Sequence, residues 1–239
     1  IIGGGAAGFF GAIACADKYP EHRVVLIEKS RQVLSKVRIS GGGRCNVTHA
    51  CFDPALLIKY YPRGSRELRG PFSRFQPRDT INWFEARGVK LKAEEDGRMF
   101  PTTDQSDTII QCLVSEAKRV GVELLLGRDI IAITREETGG FILNFSDGEQ
   151  LKGDCLLIAT GSAPKMFPMI EKLGHTIVSL VPSLFTFNVP NSPFLDLAGI
   201  SIPNVLVTLP QWGIEQSGAL LFTHWGFSGP AILKLSAWA

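Results

Sequence analysis

Gly3-Gly4-Gly5-Ala6-Ala7-Gly8 constrains this chain more than any other feature of it. In a Gly-x-Gly-x-x-Gly spacing, the first glycine permits a tight turn and the second lets backbone approach a phosphate. The third allows a helix to pack closely on a strand. A helix opening on such a turn presents free N–H groups and the positive end of its dipole to an anion. The surroundings suit that reading. Ile1-Ile2 lead in as the end of a strand, residues 6–18 read as a helix rich in small residues, and Pro20 and Glu21 break it. Val24-Val25-Leu26-Ile27 is a short continuous apolar run, as in a parallel strand buried on both faces. Glu28 stands 20 residues after Gly8, where a carboxylate can accept hydrogen bonds from a ribose hydroxyl and disfavour a 2′-phosphate.

Downstream, residues 35–78 read as irregular, glycine-rich at 41–43 and then carrying prolines and arginines. Asp79 is placed to cap a helix over 80–87. Residues 89–92 and 98–100 flank Asp96-Gly97 as a short hairpin. Asp104 or Ser106 starts an amphipathic helix with Ile109, Ile110, Leu113, Val114 and Ala117 on one face, and a strand follows at 122–126. Segments 130–135, 141–145 and 149–152, joined by Thr138-Gly139-Gly140 and Asp147-Gly148, read as an antiparallel meander. Residues 155–161 return as a buried strand ending in a small-residue turn. Beyond about residue 175, strand-like runs at 176–181, 184–189, 205–209 and 219–222 alternate with proline, asparagine and glycine, and no helix is expected until after Ser228.

Hydrophobic residues fill 45% of the 239 positions and charged residues 20%, ordinary for a globular protein. A formal net charge of +2 points to neither nucleic acid nor a membrane surface as partner, so a small-molecule substrate is expected. No apolar run reaches the roughly 18 residues that span a bilayer, and no secretory leader is expected. Cys15, Cys45, Cys51, Cys112 and Cys155 are scattered without a Cys-x-x-Cys pair, which suits reduced thiols in a cytoplasmic protein. His49 and His175 lack ligand-spaced companions, so no metal is expected. Only two residues precede the glycines, and the helix read at 230–239 has no cap or breaker. The expectation is a fragment, incomplete at both ends.

The glycine fingerprint alone does not separate FAD from NAD. A meander followed by Leu157-Ile158-Ala159-Thr160-Gly161 closes the FAD domain of many flavoproteins. No second fingerprint follows, since Gly174 and Gly199 stand alone. FAD is therefore the expected cofactor. Its candidate contacts are Gly3, Gly5, Ala6, Ala7 and Gly8 at the pyrophosphate, Glu28 and Lys29 after the second strand, Ile130 and Ile131 at the start of the meander, and Ala159, Thr160 and Gly161 in the second turn. The fold class is α/β: a Rossmann-type FAD-binding domain with a βαβ start and a β-meander over 1–170, and a β-rich inserted domain over 171–239.

Ser40-Gly41-Gly42-Gly43-Arg44-Cys45-Asn46-Val47-Thr48 is the most distinctive stretch. Successive glycines expose N–H groups that can nest an anionic oxygen, so Ser40, Gly41, Gly42, Gly43, Arg44, Cys45 and Asn46 join the candidate contacts. Arg44 suits a phosphate or the charge of a reduced flavin. Cys45 beside it is either a low-pKa thiol or a plain buried one. Arg98 either faces the flavin or pairs with Asp96. Thr223-His224 with Ser228-Gly229-Pro230 reads as a substrate-facing element in which Ser228 caps a helix and His224 supplies a proton, or as a capped helix with a satisfied histidine. Arg63, Arg66, Arg69, Arg74 and Arg78 form a basic patch: a solvated loop, or a surface steering NADPH or an anionic substrate.

Residues 3–12, 40–48, Gly97-Arg98-Met99-Phe100-Pro101, Ala159-Thr160-Gly161 and residues 221–231 together resemble the BaiN/YhiN-like flavoproteins. That family is one of NAD(P)/FAD-dependent oxidoreductases with bile-acid-type enone reductases among its members. The resemblance spans the whole chain. It implies an FAD domain carrying an inserted domain, and reduction of an activated C=C bond with NAD(P)H as donor. A flavoprotein of RNA modification and a non-enzymatic flavin-binding redox or partner module remain the other readings of a single fingerprint.

Overall fold

The computed structural model describes residues 1–238. Its elements in chain order are α1 (Ala6–Lys18), β1 (Val25–Glu28), α2 (Ser35–Ile39), β2 (Thr48–His49), α3 (Pro54–Leu57), α4 (Ser65–Arg74), α5 (Pro77–Glu85), β3 (Leu91–Ala93), β4 (Arg98–Pro101), α6 (Ser106–Arg119) and β5 (Glu123–Leu126). There follow β6 (Ile130–Arg135), β7 (Phe141–Phe145), β8 (Gln150–Gly153), α7 (Phe167–Lys172), β9 (Phe187–Asn188), β10 (Ser201–Leu209), β11 (Ile214–Thr223), β12 (Gly226–Ser228) and α8 (Pro230–Ser236). Two units separate: residues 1–58 with 66–177, and residues 59–65 with those from 178 onward. The sequence reading put the division at 170/171.

The apolar runs of the first unit lie side by side and parallel. Ile2 bridges Ile27 on one side and Ile158 on the other, while β1 pairs with β5 from Val25↔Glu123 to Glu28↔Leu126. Strand, turn, helix and parallel strand in this order make a Rossmann-type α/β core. Alternation of side chains across the pleat then sends neighbouring residues to opposite layers. Leu26 packs with Phe9, Ala12, Ile13 and Ala16 of α1 and with Ile109, Ile110, Leu113 and Ala117 of α6. Ile27 and Ile2 face the other way, onto Ile130, Ile133, Leu143 and Phe145 of the β6-β7-β8 meander and Met166 and Met169 at α7. The parallel sheet is covered on both faces, which is why its strands read as unbroken apolar runs. A small antiparallel sheet, β2-β4-β3, completes the unit.

Several boundaries differ from the sequence reading. The helix expected over 80–87 is α5, and Gln76 is its N-cap: Asp79 sits one turn in and its Oδ2 accepts the Gln76 amide at 2.8 Å. The stretch 35–78 is not all irregular but holds α2, α3 and α4. Residues 155–161 contribute a single bridge at Ile158 rather than a strand. Residues 176–181 form no strand, and in the second unit the sheet runs β10-β11-β12-β9 with every pair antiparallel. Phe222, Ile232 and Leu235 form its buried side with α8. Gly229, not Ser228, caps α8, because Ser228 belongs to β12 and pairs with Leu221. Among the described residues no helix is long and apolar enough to cross a membrane.

Because Leu26 is fully buried between two helices while Ile131 is 51% exposed on β6, truncation separates the two positions. Leu26→Ala should lower the unfolding free energy by about 2–5 kcal/mol, and Ile131→Ala should stay within about 0.5 kcal/mol, both read from urea titrations.

Candidate dinucleotide site

The opening turn is held together by contacts that leave no room for side chains. A Cβ on Gly8 would stand 1.8 Å from the Gly3 carbonyl oxygen, and one on Gly3 would stand 2.5 Å from the Ala159 carbonyl oxygen. Gly5 is different: a Cβ there meets nothing within 4 Å, and its φ of −90° suits any residue. Its missing side chain leaves open space in the cavity rather than relieving a clash. The first-turn amides of a helix lack intrahelical acceptors, and no side chain caps α1, so the helix offers its positive end to that space.

The space is a cavity of about 940 Å³ in the first unit, lined by Gly3, Gly4, Gly5, Ala6, Ala7, Glu28, Lys29, Ser40, Cys45, Asn46, Ile130, Ala159, Thr160 and Gly161 among others. That volume lies in the range of cofactor sites. Glu28, at the end of β1, is fixed by two backbone donors: Gly4 N–H to Oε2 at 2.7 Å and Ser30 N–H to Oε1 at 2.9 Å. A carboxylate retains further acceptor positions after two bonds, enough for a ribose diol. The Leu34 amide donates to the Gly4 carbonyl at 2.8 Å and so ties the start of α2 to the same turn. Phe10 and Phe75, with ring centroids 5.4 Å apart, form part of the wall. Phosphate-sized room at a helix start, with a fixed carboxylate nearby, fits a dinucleotide.

The Ser40–Asn46 loop divides between cavity and surface. Gly41, Gly42 and Gly43 have φ of 57°, 69° and 85°, and Cys45 has 64°. A Cβ on Gly41 would meet Asn46 N and the Phe100 ring at 2.8 Å. This winding brings Ser40, Cys45 and Asn46 to the cavity wall but not Gly41, Gly42, Gly43 or Arg44. Arg44 lies over the Phe100 ring at 3.9 Å and donates to Glu94 at 2.5 Å and Asp104 at 3.5 Å. Those acids already answer its charge, and the Glu94 hydrogen bond holds the guanidinium above its usual range. Burial pushes the Cys45 thiol up, against a weaker opposing hydrogen bond with Ser40. The wall therefore carries a plain buried thiol.

Other candidate residues lie elsewhere. Ile130 faces the cavity and its neighbour Ile131 faces out, as the pleat requires. Gly8 packs beneath the turn. Arg98 pairs with Asp96 at 2.7 Å and Glu94 at 3.1 Å. His224 is exposed between β11 and β12 in the second unit. Conversely, Lys36, Arg128, Asp129, Lys165, Phe75 and Thr80 line the cavity without having been singled out in the sequence. Lys36 had one available signal, a basic residue just before the glycine run. The others come from segments that carry no motif. Among the described residues no group of three or more His, Cys, Asp or Glu could hold a metal ion.

The profile of the HI0933-like protein Rossmann domain family matches residues 1–227. The 3-dehydro-bile acid delta(4,6)-reductase of Clostridium scindens is 26% identical over 246 residues, covering 99% of this chain and 59% of the relative. The ribosomal RNA dihydrouridine synthase of Escherichia coli is 29% identical over 250 residues, covering 100% of this chain and 60% of the relative. The chain thus spans about three fifths of the length of these curated relatives. Among solved structures, Thermovibrio ammonificans THI4 superimposes with a TM-score of 0.46 at 13% identity, over 72% of this chain and 60% of its own.

Two glycine substitutions distinguish the roles within the turn. Gly8→Ala should lower the melting temperature sharply, because backbone must move to admit the methyl group. Gly5→Ala should leave the melting temperature of the ligand-free protein nearly unchanged and weaken dinucleotide binding, measured by fluorescence titration. The thiols give a separate check: Cys45 should react with iodoacetamide far more slowly at pH 8 than exposed Cys155.

Proposed function

Because this chain belongs to the HI0933-like protein Rossmann domain family, we propose that the cavity is an FAD cradle and that the protein is an FAD-dependent oxidoreductase. The observation that carries this reading is the open space at Gly5, set between the first amides of α1 and the fixed carboxylate of Glu28. In it, the amides at the start of α1 hold the pyrophosphate and Glu28 accepts from the ribose. The turn at Ala159, Thr160 and Gly161, with Ser40, Cys45 and Asn46, bounds the rest of the cofactor. Bound FAD would supply hydride transfer to or from an organic substrate. Phe10, Phe75, Phe84, Ile109 and Leu113 give this space an apolar wall.

The reaction proposed is reduction of a C=C bond conjugated to a carbonyl, with NAD(P)H as electron donor and a small-molecule enone as substrate. Two relatives support it through chemistry their names share. A delta(4,6)-reductase of a 3-dehydro compound saturates a bond conjugated with a ketone, and dihydrouridine is uridine with its carbonyl-conjugated 5,6 bond saturated. The five cysteines are free thiols, in keeping with a reducing cytoplasm.

The test is a visible spectrum of the intact protein after reconstitution with FAD, followed by anaerobic titration with NADH and NADPH and turnover on a panel of enones. A flavin band near ~450 nm, bleached by a nicotinamide donor and restored by an enone, is expected. A protein that takes up no flavin would end the proposal.

One observation favours a second reading, in which the conjugated bond belongs to a uracil within RNA. Residues 66–79 hold Arg66, Arg69, Arg74 and Arg78 against Glu67 and Asp79, as much net positive charge as the entire chain. Among the described residues none of these four arginines has an ion-pair partner, and Arg78 lies 4.0 Å over the Phe52 ring. Exposed arginines beside aromatic rings suit phosphates and unstacked bases. On this reading, Arg66→Gln, Arg69→Gln and Arg74→Gln combined should weaken retention of a ribosomal RNA fragment about tenfold or more and flatten its salt dependence. Turnover of a small enone should be unaffected. If the unaltered protein binds no RNA above a heparin-competed background, the small-molecule reading alone stands.

A further inference from the structure

We infer that Lys36 is the counter-ion of the ligand's diphosphate and sets the preference of the cavity for a dinucleotide over a bare ring system; this rests on the dinucleotide reading above. Four cationic side chains line the cavity: Lys29, Lys36, Arg128 and Lys165. Three are already answered. Lys29 lies 3.9 Å from one Asp129 oxygen and Lys165 lies 2.7 Å from the other, while Arg128 pairs with both Asp147 and Glu149. Among the described residues Lys36 has no carboxylate partner.

Its position matches the need. Lys36 stands in the first turn of α2, two residues after Leu34, whose amide is bonded to the Gly4 carbonyl. Its Nζ lies 3.6 Å from where a Cβ on Gly161 would stand. Gly161 closes the turn whose Ala159 carbonyl abuts Gly3. The opening turn, the second turn and the start of α2 thus meet at one corner of the cavity, with the ammonium beside it. A diphosphate placed there carries about two negative charges, against roughly half a positive charge from the end of α1. Glu28 adds a like charge next to Gly4, which raises the cost of bringing phosphate in. The balance calls for a full cation, and among those lining the cavity Lys36 is the one whose charge is unspent.

The test uses the intact protein and its Lys36→Met and Lys36→Arg variants, titrated with FAD, ADP and riboflavin at low and high salt, with thermal melts as a check on folding. Lys36→Met should weaken FAD and ADP by about tenfold or more, the loss of one charge-assisted hydrogen bond, and should flatten their salt dependence. Riboflavin, which has no phosphate, should be held as before, and Lys36→Arg should restore most of the FAD affinity. Lys36→Met binding FAD and ADP as tightly as the unaltered protein would overturn the inference. So would equal losses for FAD and riboflavin, since Lys36 would then serve the ring or the fold. If the unaltered protein takes ADP but no flavin, the FAD reading fails and the ADP titration still decides the role of Lys36. If it takes neither, both fall.

Discussion

The structure of the first unit depends on how closely α1 is pressed against the strand that precedes it. With a Cβ on Gly8 the helix would run into the Gly3 carbonyl, and with one on Gly3 the turn would run into Ala159. These two absences of side chain let one strand position, Ile2, be shared between Ile27 and Ile158, so that three segments distant in sequence are joined in parallel. The same closeness aims the first amides of α1 at the cavity. The packing of the sheet and the exposure of these amides to the cavity therefore have one geometric origin. Gly5 is the exception that separates them, because its lack of a side chain relieves no contact within the protein.

Around that junction the alternation of a buried strand does the sorting. Leu26 joins α1 and α6, and Ile27 joins the meander. The two layers then frame the site differently. The helical layer gives apolar wall through Phe10, Phe84, Ile109 and Leu113, while the meander side gives the charged rim of Arg128, Asp129 and Lys165. A ligand with a flat apolar ring and a charged tail finds complementary surfaces only when it spans both.

What the sequence disclosed follows from where periodicity and turn chemistry are strong. The glycine turn, α1, β1, the amphipathic α6 and the meander each have a pattern set by burial, and each appears within a residue or two of its expected span. Helix α4 was not legible because none of its residues is buried and Pro71 lies inside it, a residue that in sequence argues against a helix. The site followed the same rule. Gly3 and Gly8 carried a signal because close backbone approach excludes a side chain at each, whereas Gly5 and Glu28 were singled out by their spacing within the glycine pattern. Sequence offered Arg44 for a phosphate or a reduced flavin, and could not show its pairing with Glu94 and Asp104, which lie 50 and 60 residues away and are brought to it only by the fold.

Charge in this cavity is allocated by pairing rather than by composition. Arg44, the basic residue most conspicuous in sequence, is neutralised on the small sheet, and its planar guanidinium is further held by the Phe100 ring. Arg128 and Lys165 are neutralised at the rim. Each such pair stiffens a wall but withdraws a cation from the ligand. A site that binds a diphosphate beside Glu28 must therefore keep at least one cation out of the pairing network. An exposed lysine serves such a role better than a buried arginine, since its ammonium stays hydrated until an anion arrives and carries little desolvation cost beforehand. Lys36 is exposed and unpaired among the described residues, on the helix whose start is bonded to the glycine turn through the Leu34 amide and the Gly4 carbonyl.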